Sequence, residues 1–243
     1  MWITPEPRYF DSFVHFVETL NTDKIIHLGL DVKPDFQGIV YNTEQVSIPR
    51  ILAKILKLAH PSVPSDSLTP FVPTIESWNP LNPSDPKLEF WDYSLANIKI
   101  LEKHGIKAKH VPLKTTGPYL EKLQIFAKYT KIYDIGFNGT ISDRRKKILD
   151  QLATTFTVLT STNWGDKRDE ELGQCRVIIN IHYDTDYMIF ESARCEPWLA
   201  AGVPVISELS IDNDDRCILT TYDGFFDTVK AYFANKNQSV GPV

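Results

Sequence analysis

The sequence predicts an α/β protein built from two parallel-sheet units. Stretches with strand character alternate with stretches whose apolar residues recur at helical spacing, and that alternation builds parallel sheets joined by crossover helices. Residues 177–181 form a nearly continuous apolar run, the pattern of a parallel strand buried on both faces. The strand–helix pattern also restarts near Tyr129. The expected organisation is therefore two Rossmann-like domains, residues 1–125 and residues 126–243, with a cleft between them.

Taken in order, residues 11–20 place apolar side chains at helical spacing, and residues 24–30 and 38–41 are β-type runs. In residues 49–59, Ile51, Leu52, Ile55 and Leu56 share one helical face. Residues 61–86 carry seven prolines among Ser, Asp and Asn, which predicts a long loop, since proline suits neither central strands nor helix interiors. A strand at 88–91 and a helix at 94–104 follow, with Ser94 as N-cap because its hydroxyl can accept from otherwise unpaired N–H groups. Strands are then expected at 106–111, 132–137 and 156–159, and helices at 119–128 and 142–152. Beyond the run at 177–181 come a helix opened by Glu191 and ended by Gly202, a short strand from Val203 to the carboxylate of Glu208, and a final helix at 224–233.

With 42% hydrophobic residues, a chain of 243 residues can bury a full core. A net charge of -5 argues against nucleic acid as the main partner, because that binding rests on many Lys and Arg contacts to phosphate. Cys175, Cys195 and Cys217 form neither a C-x-x-C pair nor a disulfide framework, so a reducing compartment is expected. The N-terminus has no basic region followed by an apolar core, and no apolar run reaches the roughly 18 residues of a membrane span. These features predict a cytoplasmic protein with no transmembrane segment.

Open parallel sheets bind ligands beyond the carboxyl ends of their strands, so the residues after each strand are the candidates. Gly136-Phe137-Asn138-Gly139 follows one strand and precedes a helix carrying Arg144-Arg145-Lys146-Lys147. Glycines there let the backbone approach a phosphate, the helix N-terminus adds partial positive charge, and Arg144 or Arg145 can neutralise a diphosphate with forked bonds. A plain glycine turn into a solvated basic face is the alternative. Asn180-Ile181-His182-Tyr183 ends the buried run. Asn180 is placed to touch a ligand there, and His182 is either catalytic or a hydrogen-bonded structural histidine. Asp184-Thr185-Asp186 comes next, and two carboxylates at this spacing suit Mn²⁺ or Mg²⁺, which defines a competing metal-dependent reading. In the first half, Glu44 and Asp92 follow strands, and either is a candidate base for an acceptor hydroxyl. Helix capping beside Ser94 is the other reading of Asp92, and a surface carboxylate that of Glu44. Glu191 and Glu208 bracket the last helix–strand unit, where carboxylates accept strongly from ribose or sugar hydroxyls. An ordinary helix–strand unit capped by Gly202 remains the alternative.

In their order and spacing these strings resemble a known group. Tyr41-Asn42-Thr43-Glu44-Gln45, Trp91-Asp92-Tyr93-Ser94 with Asn97, and Val111-Pro112-Leu113 carry the first half of the likeness. Asp134-Ile135-Gly136-Phe137-Asn138-Gly139, Arg144-Arg145, Ile178-Ile179-Asn180-Ile181-His182-Tyr183, Phe190-Glu191-Ser192-Ala193-Arg194 and Gly202-Val203-Pro204-Val205-Ile206-Ser207-Glu208 carry the second. The chain resembles GT-B-type glycosyltransferases related to the group 1 and spore-maturation CgeB-like proteins, which have bacterial and large-virus members. The likeness spans roughly residues 37–210.

The resemblance implies a compact GT-B-like fold, a donor held mainly by the C-terminal domain, and catalysis with no bound metal. It implies no cofactor besides a nucleotide-sugar donor, expected to be UDP-linked, and an oligosaccharide or other glycan as acceptor. Gly136, Asn138, Gly139, Arg144, Asn180, Glu191, Ser192, Arg194 and Glu208 are then donor-binding. Among them, Glu191 meets the ribose or sugar, Arg194 or Arg144 the diphosphate, and Glu208 supports the site. Asp92, Glu44 and His182 are the catalytic candidates. Group 1 enzymes usually place two glutamates eight positions apart around this helix, whereas the eighth residue after Glu191 is Leu199. That departure leaves retention or inversion at the anomeric carbon open. The chain is short for two full Rossmann domains, as a trimmed enzyme or one module of a longer polypeptide would be. A GT-A-like enzyme using Asp184 and Asp186, and a non-catalytic nucleotide-sugar-binding module, are the competing readings.

Overall fold

Trp2–Ile3 (β1), Asp11–Val17 (α1), Ile26–Leu28 (β2), Gly38–Asn42 (β3), Pro49–Ala59 (α2), Leu88–Asp92 (β4), Leu95–Lys103 (α3) and Ala108–His110 (β5) build the first part of the chain. The computed structural model describes residues 2–3, 11–30, 36–45, 49–59 and 88–238, so the proline-rich stretch at 61–86 lies outside the described residues. The chain divides into two compact units. One comprises Met1–Thr116 with Asp186–Ala193, and the other Gly117–Thr185 with Arg194–Val243.

In the first unit five parallel strands lie in sequence order, β1-β2-β3-β4-β5. Alternation along the strands buries both faces of this sheet, as parallel strands require. Ile39, Tyr41 and Trp91 pack with Phe13, Phe16 and Val17 of α1. Val40 and Phe90 pack on the opposite face with Ile51, Leu52, Ile55 and Leu56 of α2 and Leu101 of α3. Ser94 caps α3 as its position predicts, accepting from the N–H groups of Ala96 and Asn97. The 186–193 segment joins this unit through Ile189, which is buried in the α1 cluster and donates its N–H to Gln45 Oε1 at 2.9 Å.

The second unit contains Gly117–Phe126 (α4), Tyr133–Asn138 (β6), Asp143–Ala153 (α5), Val158–Ser161 (β7), Gly165–Leu172 (α6), Cys175–Asn180 (β8), Ser192–Ala200 (α7), Val205–Glu208 (β9), Ile218–Thr220 (β10) and Phe225–Gln238 (α8). Its five strands are parallel in the order β10-β9-β8-β6-β7. From β6 the chain adds β7 on one side and then β8, β9 and β10 on the other, which is a doubly wound order. The reversal falls between β6 and β8, and there the two outgoing connections part and leave a crevice at the carboxyl edge. Ile135, Phe137, Val177, Ile179 and Ile206 of the sheet, with Ile181 just after β8, pack with Ile148, Leu149 and Leu152 of α5 and Phe225, Val229 and Phe233 of α8.

Three elements were not expected: the two-residue strand β1, helix α6 and strand β10. Helix α6 has no apolar stripe, because its buried face is Arg168, Asp169 and Leu172. The Arg168 guanidinium donates to Asp169 Oδ1, and Tyr119 Oη donates to Asp169 Oδ2 at 3.1 Å, so an ion pair replaces the usual hydrophobic seam. Strand β10 is three residues long and adds to β9 at the sheet edge. Among the described residues, no helix is long and apolar enough to cross a membrane.

Candidate functional site

The carboxyl edge of the second sheet, at its strand-order reversal, gathers most of the expected donor residues. Asn138 ends β6, Asn180 ends β8 and Glu208 ends β9. Ser142 caps α5, accepting from the Arg145 N–H, and so sets where the two arginines of that helix begin.

Arg194 lies over the turn after β6. Its Nη1 donates to Asn180 Oδ1 at 2.7 Å, and Asn180 Nδ2 donates onward to Ser207 Oγ at 3.0 Å. Gly139 makes room for this guanidinium: a Cβ there would lie 2.6 Å from Arg194 Nη2 and 3.5 Å from Arg145 Nη1. Phe137, fully buried beneath, carries Arg194 5.2 Å and Arg145 5.4 Å from its ring centroid. Arg145 itself is buried, its Nε donating to Ile181 O and its Nη1 to Thr140 O. It holds two loop carbonyls at this edge.

Arg144 is engaged by protein groups. Both its terminal nitrogens donate to the carboxylate of Glu208, Nη1 also donates to His182 O, and the guanidinium stacks 3.8 Å from the Tyr222 ring centroid. Glu208 also accepts from the His182 N–H at 3.0 Å. Arg144 and Glu208 thus form a largely buried, forked ion pair that ties α5 to the ends of β8 and β9. Burial pushes the Tyr222 hydroxyl above its usual pKa, and that hydroxyl donates to Arg144 O at 2.9 Å.

Two buried acceptors at this edge have no partner among the described residues. Asn138 Oδ1 is one. The other is on His182, whose Nε2 lies 3.1 Å from Leu209 O. A carbonyl only accepts, so Nε2 carries the hydrogen and, in the neutral ring, Nδ1 is left as an acceptor, buried and unmatched. The arrangement sets guanidinium groups, which suit phosphate, beside unmatched acceptors, which suit hydroxyls.

Gly136 stands apart from this edge, inside β6, where a Cβ would lie 2.7 Å from Cys175 Sγ and 2.9 Å from Ile178 Cδ1. It serves close packing of β6 against β8. Glu191 and Ser192 fall in the chain segment grouped with the first unit, Glu191 just before α7 and Ser192 donating its N–H to Phe190 O. Asp184 is exposed and accepts from the Thr185 N–H at 2.7 Å, and Asp186 is exposed as well. Among the described residues, no group of three or more His, Cys, Asp or Glu converges as a metal site would.

In the first unit Asp92 is fully buried at the end of β4. It accepts from Asn42 Nδ2 at 2.6 Å, from the Ser94 N–H at 2.8 Å and from Asn97 Nδ2 at 3.0 Å. Both asparagine side chains also donate to Glu44 O, each at 2.9 Å, so Asp92 organises the network that holds the Glu44 backbone after β3. Nearby, burial and the Asp92 charge raise the pKa of Tyr41, whose hydroxyl donates to Val111 O.

Sequence reasoning missed the Arg145 anchor and the Arg144–Glu208 pair. A buried arginine in a basic run reads as solvated, and partners 64 residues apart leave no local signal.

Several proteins of Acanthamoeba polyphaga mimivirus are similar to this chain. One uncharacterized protein is 30% identical over 216 residues, which is 83% of this chain and 61% of the relative. A second, also uncharacterized, is 32% identical over 187 residues, 75% of this chain but 22% of the relative. A third is 33% identical over 122 residues, 50% of this chain and 41% of the relative. The chain therefore spans about three fifths of the first of these and less of the others. No family model matches the chain, and no solved structure matches it.

Proposed function

We propose that the chain is a glycosyltransferase of GT-B type, moving a sugar from a nucleotide-diphosphate sugar to a glycan acceptor, with UDP as the expected nucleotide. The observation that carries this reading is the pairing at one carboxyl edge of Arg194, held over Gly139 by Asn180, with the unmatched acceptors Asn138 Oδ1 and His182 Nδ1. A diphosphate asks for the first and sugar or ribose hydroxyls ask for the second. The strand-order reversal supports the same location, since doubly wound sheets bind nucleotides there.

In this reading Arg194 stabilises charge on the departing nucleoside diphosphate, a preorganised electrostatic role that needs no metal. Asn138 and His182 accept from donor hydroxyls and fix the sugar's orientation. Arg144, Arg145 and Glu208 position the loops that carry these groups. The match to only part of longer viral relatives supports a module that also occurs inside larger polypeptides.

The test is a thermal-shift screen with UDP, GDP, dTDP, CMP and their sugars, run with Mn²⁺ and with EDTA. A ligand at about 100 times its Kd adds about 2.7 kcal/mol to the native state, a shift of several degrees for a domain of this size. One nucleoside diphosphate should shift the wild type in EDTA and lose most of that shift in Arg194→Ala. Silence across the panel, or an equal shift in that variant, refutes the reading.

A further inference from the structure

A cavity of about 420 Å³ opens at the opposite, amino edge of the second sheet. Its walls come from the end of α4 and the segment after it, from Arg176 near the start of β8, and from the segment between α7 and β9. Strand β8 separates it from Asn180, and six residues at about 3.3 Å each put the two edges roughly 15–20 Å apart. It is not part of the site described above.

Three cations, Lys128, Lys131 and Arg176, line this cavity, and no carboxylate is among its described lining residues. Lys131 Nζ donates to Ala127 O at 2.7 Å and to Gly173 O at 2.6 Å. Two of its three N–H groups are thereby used, which fixes the ammonium in place and offsets the carbonyl end of α4. Burial lowers its pKa, so its charged form is short of solvation there. Arg176 Nε forms a loose ion pair with Asp134 Oδ1 at 3.8 Å, longer than a hydrogen bond, and its side chain is about half exposed. Lys128 is exposed. Ala127, Val203 and Pro204 supply apolar wall beside these charges.

We propose that this cavity binds a phosphate monoester, carried by a soluble metabolite or by a lipid headgroup. The dianionic phosphate sits among Lys128, Lys131 and Arg176, whose guanidinium matches phosphate with forked bonds, and the organic body rests on Ala127, Val203 and Pro204. A dianion answers three cations better than a single carboxylate does, and the volume suits a small organic ligand. The proposal does not depend on glycosyl transfer.

Titration of the protein with glycerol 3-phosphate, followed by backbone-amide NMR, tests it. Saturable shifts are expected at residues 127–131, 176 and 201–203, with affinity falling at least about tenfold in the double variant Lys128→Gln/Arg176→Gln. Both positions are exposed, and an unchanged melting temperature verifies that the variant folds. Co-sedimentation with phosphatidic acid vesicles, lost in the double variant, assigns the headgroup source. Amide shifts without co-sedimentation assign the soluble one. No saturable shift up to about 10 mM, equal binding by the variant, or shifts confined to residues 138–145 overturns the proposal, the last because the phosphate would then occupy the carboxyl-edge site.

Discussion

The guanidinium of Arg194 occupies the space that any side chain at position 139 would need, with a Cβ there 2.6 Å from Arg194 Nη2. Gly139 also sits at φ +125, a conformation other residues rarely adopt. Gly139→Ala should therefore cost about 1–3 kcal/mol of stability through backbone strain and displace Arg194 as well. Urea denaturation and nucleotide titration check the two effects. A variant with wild-type stability and binding would show that this turn is not shaped around the arginine.

Arg144 and Arg194 should separate cleanly by experiment. Removing Arg144 leaves Glu208, whose side chain is 9% exposed, without its forked partner, and breaking such a pair costs about 3–5 kcal/mol when burial is complete. Arg144, 18% exposed, should give a loss near the lower end, about 3 kcal/mol. Arg194 is half-buried, and its removal leaves the buried Asn180 Oδ1 without that donor, so the loss should fall near the lower end of about 1–3 kcal/mol while nucleotide binding is abolished. Equal stability losses in Arg144→Ala and Arg194→Ala would contradict this division of labour.

The parts of the fold legible in the sequence are those carried by local rules. Ser94 caps the helix it precedes, and the run through Val177 and Ile179 is the central strand β8. Where burial is satisfied by charge, the rules fail: α6 hides Arg168 and Asp169 on the face where a hydrophobic stripe would normally reveal a helix. Glycine was informative but ambiguous. Gly136 and Gly139 belong to one string, yet the first packs a strand against Cys175 and the second yields space to an arginine. The carboxyl-edge position of Asn138, Asn180 and Glu208 followed from strand ends, which alternation predicts. Their side-chain partners depend on strand order, which alternation leaves open.

Asp92 offers a test of structure against catalysis. Its carboxylate accepts from two asparagine amides and one backbone N–H, all buried. Asp92→Asn would set an amide donor against donors it cannot satisfy, leaving at least one buried group unmatched at a cost of about 1–3 kcal/mol. The first unit should lose that stability, read by urea denaturation. A base would behave differently: turnover would collapse with stability intact, and that outcome would return Asp92 to the reacting atoms.

Asp214 should give the protein part of its acid sensitivity. Hydrogen bonds from Arg216, the largest cause, together with its charge, hold the Asp214 carboxyl below its usual pKa despite partial burial. Arg216 also pairs with the buried Glu196, so the Asp214 contact helps fix a cation that a second carboxylate needs. A depressed folded-state pKa adds stability that is complete above the unfolded value, about 3.9, and drains away as pH falls through the lower folded value. Asp214→Asn removes that contribution at every pH. The gap between wild type and variant in urea midpoint should therefore be constant from neutral pH down to about pH 5 and shrink below about pH 4. A gap that persisted unchanged at pH 3, or widened there, would mean that ionisation of Asp214 does not support the fold.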